Sequence, residues 1–145
     1  MESFVEIRNI AICLIENDGK IFVGEGFDEV KKETFYRPLG GGIEFGELAK
    51  DTVIREFQEE METEISVGTY LTTFENRFTF NGVSGHEIIL LFSATFKDKS
   101  IYQKDNIVCK EEGVDFIAKW VNKSDFVSAK KILYPKGIVD YLKHA

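Results

Sequence analysis

Three glutamates crowd one short stretch of this chain. Glu56, Glu59 and Glu60 lie within GGIEFGELAKDTVIREFQEEME, residues 41–62. On a helix turning about 100° per residue, Glu59 falls about 60° to one side of Glu56 and Glu60 about 40° to the other. The three carboxylates then share an arc of roughly 100°, on the face away from Ile54, Phe57 and Met61. Like charges at these spacings destabilise a helix by a few tenths of a kcal/mol per pair, roughly 0.2–0.5. Arg55 relieves Glu59 at i+4, but one cation does not neutralise three acids. A hard divalent cation does, because Mg²⁺ (or Mn²⁺) takes carboxylate oxygens and keeps positions open for water and phosphate. Beside the glycines Gly40, Gly41 and Gly42, such a cluster fits phosphoryl chemistry, in which metal offsets substrate charge and polarises the attacked phosphorus. A Glu-rich helix face taken alone also reads as a solvated surface, so the rest of the chain must decide.

The elements that would position these acids are legible in outline. The periodicity predicts a helix over Glu47–Met61, with Gly46 at its start and Ile54, Phe57 and Met61 buried. Before it, Val5–Ile15 and Ile21-Phe22-Val23 flank Asn17-Asp18-Gly19-Lys20, the pattern of a β-hairpin. Strand-like segments follow at Ile65–Phe74, Arg77–Phe80, Glu87–Phe96 and Val114–Val121, while Lys97–Glu112 is charged and irregular, the composition of a surface loop. Ser124 or Asp125 could cap a short helix, and Pro135 opens a last one through Ile138, Tyr141 and Leu142. Interspersed helices and hairpin-joined strands imply a mixed sheet covered by helices on both faces.

Composition narrows the function. The 145 residues, 43% hydrophobic and 30% charged, suit one folded domain with a sizeable core. A net charge of −7 argues against duplex nucleic acid, which a protein binds by releasing counterions with Lys and Arg. An acidic enzyme on a phosphorylated substrate needs a metal or a few placed cations. Cys13 and Cys109, the only cysteines, lack zinc-site spacing and read as reduced thiols. The segment MESFVEIRNI has no signal-peptide pattern, and Ile10–Ile15 and Ile88–Phe92 are far shorter than a membrane span. The expectation is a cytoplasmic protein without a membrane partner.

The acids keep specific company. Gly41, Glu47, Arg55, Glu56, Phe57, Glu59 and Glu60 match G-x5-E-x7-R-E-U-x-E-E, with U bulky and apolar, seven specified positions over 20 residues. On this motif the chain resembles the Nudix hydrolases. The resemblance extends to residues 35–47, FYRPLGGGIEFGE, to the N-terminal hairpin, to Lys119-Trp120-Val121 and to Ile132-Leu133-Tyr134-Pro135. It implies one domain over residues 1–145 with the α+β Nudix fold, an α/β/α sandwich around a mixed sheet. It also implies Glu56, Glu59 and Glu60 as principal Mg²⁺ ligands, joined by a backbone carbonyl near Gly40 or Gly41. Arg55 would hold the carboxylates, and Glu47 would support the loop–helix junction. The implied reaction is cleavage of a phosphoanhydride in a nucleoside diphosphate linked to another group: a nucleoside triphosphate, ADP-ribose, a nucleotide sugar or a dinucleoside polyphosphate. The alternative is a catalytically silent Nudix domain that senses a nucleotide. Homodimers are common in the family.

Two departures from the family pattern stand out. Met61-Glu62-Thr63 replaces x-G-U, so Glu62 implies a different helix exit from the left-handed glycine one. Leu48, Thr52 and Val53 stand where small residues are usual, which implies changed local packing. Outside the motif, Glu112, Glu111 and Glu87 are each candidates for a base or extra ligand, or are solvated acids. Arg37 and Arg77 could bind phosphate or simply lie at strand edges. Phe35, Tyr36, Phe74, Phe78 and Phe80 could stack on a base, although aromatics at strand spacing are mostly core. The glycine run, lacking a following Lys-Ser/Thr, reads as a tight turn near the metal site rather than a P-loop.

Overall fold

A computed structural model describes residues 5–145; residues 1–4, the start of the MESFVEIRNI segment that lacks a signal-peptide pattern, lie outside the described residues. In chain order the elements are β1 (Ile7–Leu14), β2 (Glu16–Asn17), β3 (Lys20–Asp28), β4 (Glu33–Arg37), β5 (Gly40–Gly42), α1 (Ala49–Met61), β6 (Ile65–Phe80) and β7 (Val83–Phe96). A 3₁₀ turn (Lys99–Gln103), β8 (Asn106–Glu111), β9 (Val114–Asn122), α2 (Lys123–Val127) and α3 (Lys136–His144) complete the chain.

The strand β1 organises the molecule. Its apolar run is buried on both faces, which suits a central strand and no edge strand. Ala11, Cys13 and Ile15 face a core closed by Val53 and Phe57 of α1. Ile10, Ile12 and Leu14 face a second core closed by Phe126 of α2 and Ile138 of α3. Strand alternation thus places one helical layer on each side, the α/β/α sandwich expected of the sequence.

Four strands form a mixed sheet in the order β5-β1-β7-β6, with β1 and β7 parallel and the other pairs antiparallel. An antiparallel sheet, β2-β3-β9-β8 with β4 on β3, stands beside it. The expected N-terminal hairpin is therefore only the two-residue β2 against β3, turned at Asp18 (φ 53°) and Gly19 (φ 78°). β1 instead pairs with β5 and, in parallel, with β7, which sets it inside the sheet with both apolar faces covered.

Other expectations are corrected in the same way. β6 is continuous from Ile65 to Phe80, with register shifts between Val67 and Thr72. Asn76 and Glu75 stay in the ladder rather than ending a strand. The charged stretch 97–112 is not a loop: it holds the 3₁₀ turn and β8, where Cys109 is buried while its neighbours Lys110 and Glu111 are exposed. Asn122, not Ser124 or Asp125, sits at the N-terminus of α2, without a side-chain capping bond. The glycine run is strand β5, paired with β1 at Ile10–Gly42, Ala11–Gly41 and Ile12–Gly40, and not a turn. Among the described residues no helix is long and apolar enough to cross a membrane.

Helix α1 starts at Ala49, two residues later than the pattern suggested, after Gly46 in the left-handed region (φ 83°). Val53 is fully buried and Ile54 is 40% exposed, so the buried face is turned from the one predicted. That rotation brings Glu60 inward, onto the same face as Val53 and Phe57. The helix exit also differs from expectation. Glu62 adopts the left-handed conformation (φ 52°, ψ 42°) that glycine would take, and its N–H donates to the Gln58 carbonyl at 3.0 Å. A side chain there costs about 1–2 kcal/mol, less the 0.5–1 kcal/mol or so that glycine loses in unfolded-chain entropy. Glu62→Gly is expected to stabilise the fold by about 0.5–1 kcal/mol in chemical denaturation; unchanged or lowered stability would show that the Glu62 side chain makes a compensating contact.

Candidate active site

The loop–helix junction is held by one guanidinium. Arg55 Nε donates to Glu47 Oε2 at 2.8 Å and Nη2 to Glu47 Oε1 at 2.9 Å, a bidentate pair. Nη2 also donates to the Gly42 carbonyl at 3.1 Å, tying α1 to strand β5. On its other side, Nη1 reaches Glu59 Oε1 at 3.3 Å and Glu56 Oε2 at 3.6 Å. Thr52 Oγ1 donates to Glu47 Oε1 at 2.7 Å, so the unusual threonine on α1 is a polar brace. The Arg55 pair, followed by the Thr52 bond, pulls the Glu47 pKa down to about 2, and the same partner raises that of Arg55.

The acids beyond this clasp are poorly compensated. The side chain of Glu56 is 14% exposed and that of Glu59 57%, while Glu60 is buried. Burial first, then repulsion from Glu59 and Glu111, lifts Glu56 to about 7, with Arg55 opposing. Burial, then repulsion from Glu111 and Glu56, lifts Glu60 to about 8, against the pull of Arg37. Glycine at position 41 makes room for this arrangement, because a Cβ there would collide with the Glu56 carboxylate. Position 40 is closed more strictly, because a Cβ there would meet the backbone of β1 at the Ala11 carbonyl.

Two clefts meet at these residues. The first, about 800 Å³, is lined by Arg55, Glu56, Glu59, Glu60, Glu111 and Glu112. The second, about 660 Å³, opens between the two sheets and carries Arg37, Arg77, Glu87, Gly40, Gly41 and the rings of Phe35, Phe78 and Phe80. Glu60, Glu111 and Arg8 line both. The structure thus gathers the helix acids, Arg55 and Glu112 in one cleft and the remaining candidates in its neighbour. Glu47 lies behind the first as a support. Tyr36 and Phe74 pack in or against the core and do not line the second cleft.

Arg8 and Asp28 escaped sequence reasoning. Arg8 lies in the polar approach to the apolar run of β1, and nothing local relates it to α1. Asp28 is buried and accepts from the N–H groups of Val30 (2.9 Å), Lys31 (2.8 Å) and Asn81 (3.1 Å). It clasps the β3–β4 loop to the β6–β7 turn across the end of the second cleft, a link over 53 residues of sequence.

A hard cation suits this donor set: buried carboxylate oxygens, too few cations and a glycine that clears the approach. Among the described residues, however, no three carboxylate, imidazole or thiol groups are drawn together closely enough to hold a metal as they stand. The acids ring the cleft instead of forming a finished cage.

An acidic helix is thus set against a glycine strand within an α/β/α sandwich. The chain belongs to the Nudix family: the model described as NUDIX domain matches residues 6–141. It is similar to a solved MutT NUDIX hydrolase from Burkholderia pseudomallei at TM-score 0.67 and 18% identity, covering 96% of this chain and 98% of that one. A MutT protein from Methanosarcina mazei gives TM-score 0.66 and 17% identity, covering 98% and 95%. The E. coli ORF135 protein gives TM-score 0.66 and 17% identity, covering 95% and 87%. At these identities the likeness is one of fold. No curated protein matches the chain.

The raised carboxyls make a checkable prediction. The folded protein holds protons on Glu56 and Glu60 that the unfolded chain releases near pH 4.5, so its stability falls as pH rises through 7–8. The metal-free protein is expected to melt lower at pH 9 than at pH 6, and Mg²⁺ to restore the midpoint at pH 9 by mass action. Melting that is flat across this range would contradict the crowding.

Proposed function

We propose that this protein hydrolyses a phosphoanhydride bond in a nucleoside diphosphate joined to another group, as a single domain over residues 1–145. The observation that carries this reading is the junction of the two clefts at Glu60 and Glu111. It places an acidic chamber suited to cation and phosphates beside an aromatic-walled chamber of nucleoside size.

Glu56, Glu59 and Glu60 would hold Mg²⁺ or Mn²⁺, with a backbone carbonyl of Gly40 or Gly41 as a further donor. The bound cation supplies charge neutralisation and Lewis-acid polarisation of the phosphate. Arg55 keeps the Glu56 and Glu59 side chains in place, and Glu47 keeps Arg55 in place. Glu111, the last residue of β8, and Glu112, in the turn after it, line the same chamber and supply a carboxylate for orienting water or taking its proton. Arg8, Arg37 and Arg77 offer guanidinium groups to the anionic groups of a substrate crossing between the clefts, alongside the lysines that line them. The candidate substrates remain nucleoside triphosphates, ADP-ribose, nucleotide sugars and dinucleoside polyphosphates.

A Mg²⁺-dependent assay over these four classes tests the proposal. Turnover is expected for at least one class, and Glu59→Gln and Glu60→Gln are expected to lower kcat on the order of 100-fold or more with folding retained. Variants as active as the parent would remove the acids from the mechanism. Nucleotide binding without product from any class would make the protein a sensor instead. Arg55→Lys, which cannot keep the two-pronged contact with Glu47, is expected to lose most of the activity.

A further inference from the structure

The floor of the second cleft carries a polar row in which Glu87 and Asn76 have no part in the proposed chemistry. Arg8 of β1, Glu87 of β7 and Asn76 of β6 stand side by side in register across three adjacent strands. They continue the face on which Ile10, Ile89 and Phe74 build the core, so apolar residues would be the ordinary occupants of these positions. The Glu87 side chain is only 5% exposed. A carboxylate has about four acceptor sites, and burying one with so few partners is costly.

Glu87 is held but not saturated. Asn76 Nδ2 donates to Oε1 at 3.3 Å, and Arg8 Nη1 stands 4.0 Å from Oε2, beyond hydrogen-bond reach. Among the described residues no sealed-off side-chain polar atom lacks a partner, so Oε2 is open to the cleft. Arg8 is 58% exposed at its side chain and also lines the neighbouring chamber. Phe78 and Phe80 follow Asn76 along β6 at alternate positions, and Phe35 packs edge-on against Phe80 with centroids 5.7 Å apart. The row therefore adjoins aromatic rings on the same face of the sheet and in the same cleft. They offer a planar base a surface to lie against with its edge toward Glu87.

We propose that Glu87 reads the edge of the substrate's base, accepting two parallel N–H groups, and that the preferred substrates are guanine nucleotides. This rests on the nucleotide reading above. Among the common bases only guanine offers two adjacent donors, N1–H and the 2-amino group, matching the two oxygens of a carboxylate. Adenine and cytosine set an amino group beside an acceptor nitrogen, and uracil flanks its single N–H with two carbonyls; each places an acceptor against the carboxylate. Asn76 fixes the carboxylate plane through Oε1, leaving the remaining lone pairs to the base.

Calorimetric titration of the intact protein with GMP, IMP and AMP separates this from the hydrolase reading, because no turnover is involved. IMP differs from GMP only by lacking the 2-amino group. GMP is expected to bind about tenfold or more tightly than IMP or AMP, and Glu87→Gln to bring GMP and IMP within about threefold of each other. GMP and IMP binding alike to the parent protein overturns the proposal and leaves the nucleotide reading standing. Undiminished GMP preference in Glu87→Gln also overturns it, and failure of all three to bind overturns it together with the nucleotide reading.

Discussion

Crowded, largely buried carboxylates are the constraint on which this structure turns. Glu56 and Glu60 sit where burial and mutual repulsion oppose their charged forms, and a fold that keeps them must anchor them firmly. The anchor is Arg55. Its bidentate pair with Glu47 fixes the guanidinium from behind, its bond to the Gly42 carbonyl fixes it to the sheet, and its free edge faces Glu56 and Glu59. Each contact has modest worth in water; together they set the position of α1 against β5. The glycine at 41 is part of the same constraint, since any side chain would occupy the space of the Glu56 carboxylate.

That arrangement needs a rigid surface beneath it, which β1 provides. The strand is buried on both faces and joins β5, carrying the glycines, to β7 and β6, carrying Glu87 and Asn76. Its polar N-terminal end, at Arg8, lies where the two clefts meet. One strand thereby relates an acidic chamber to an aromatic one, and a ligand long enough to occupy both would cross over Arg8 and Glu60. The second sheet closes the aromatic chamber through Phe35 and Phe116, and Asp28 locks its loop to the β6–β7 turn.

Much of this was legible in the residues. The motif from Gly41 to Glu60, the α/β/α layering and the role of β1 as an apolar strand follow from spacing and alternation, which are local properties. Where the reading failed, a local signal was ambiguous. Val53 and Ile54 are both apolar neighbours on α1, and only packing against Ala11 and Phe96 chooses Val53. The alternation in β8 is masked by its charged exposed residues, and its pairing with β9 is what makes it a strand. Glu62 enters the left-handed region although glycine is absent, because the chain must turn there to begin β6.

The sequence by itself determined the family, the acidic helix and the kinds of residue available for chemistry, because these are written in spacings of a few residues along one backbone. Only the tertiary structure decided that Glu60 points inward, that Arg8, Glu87 and Asn76 form a row, and that Asp28 closes the cleft. Those relations join strands dozens of residues apart, and they arise from sheet register and two-sided burial, which no single segment encodes.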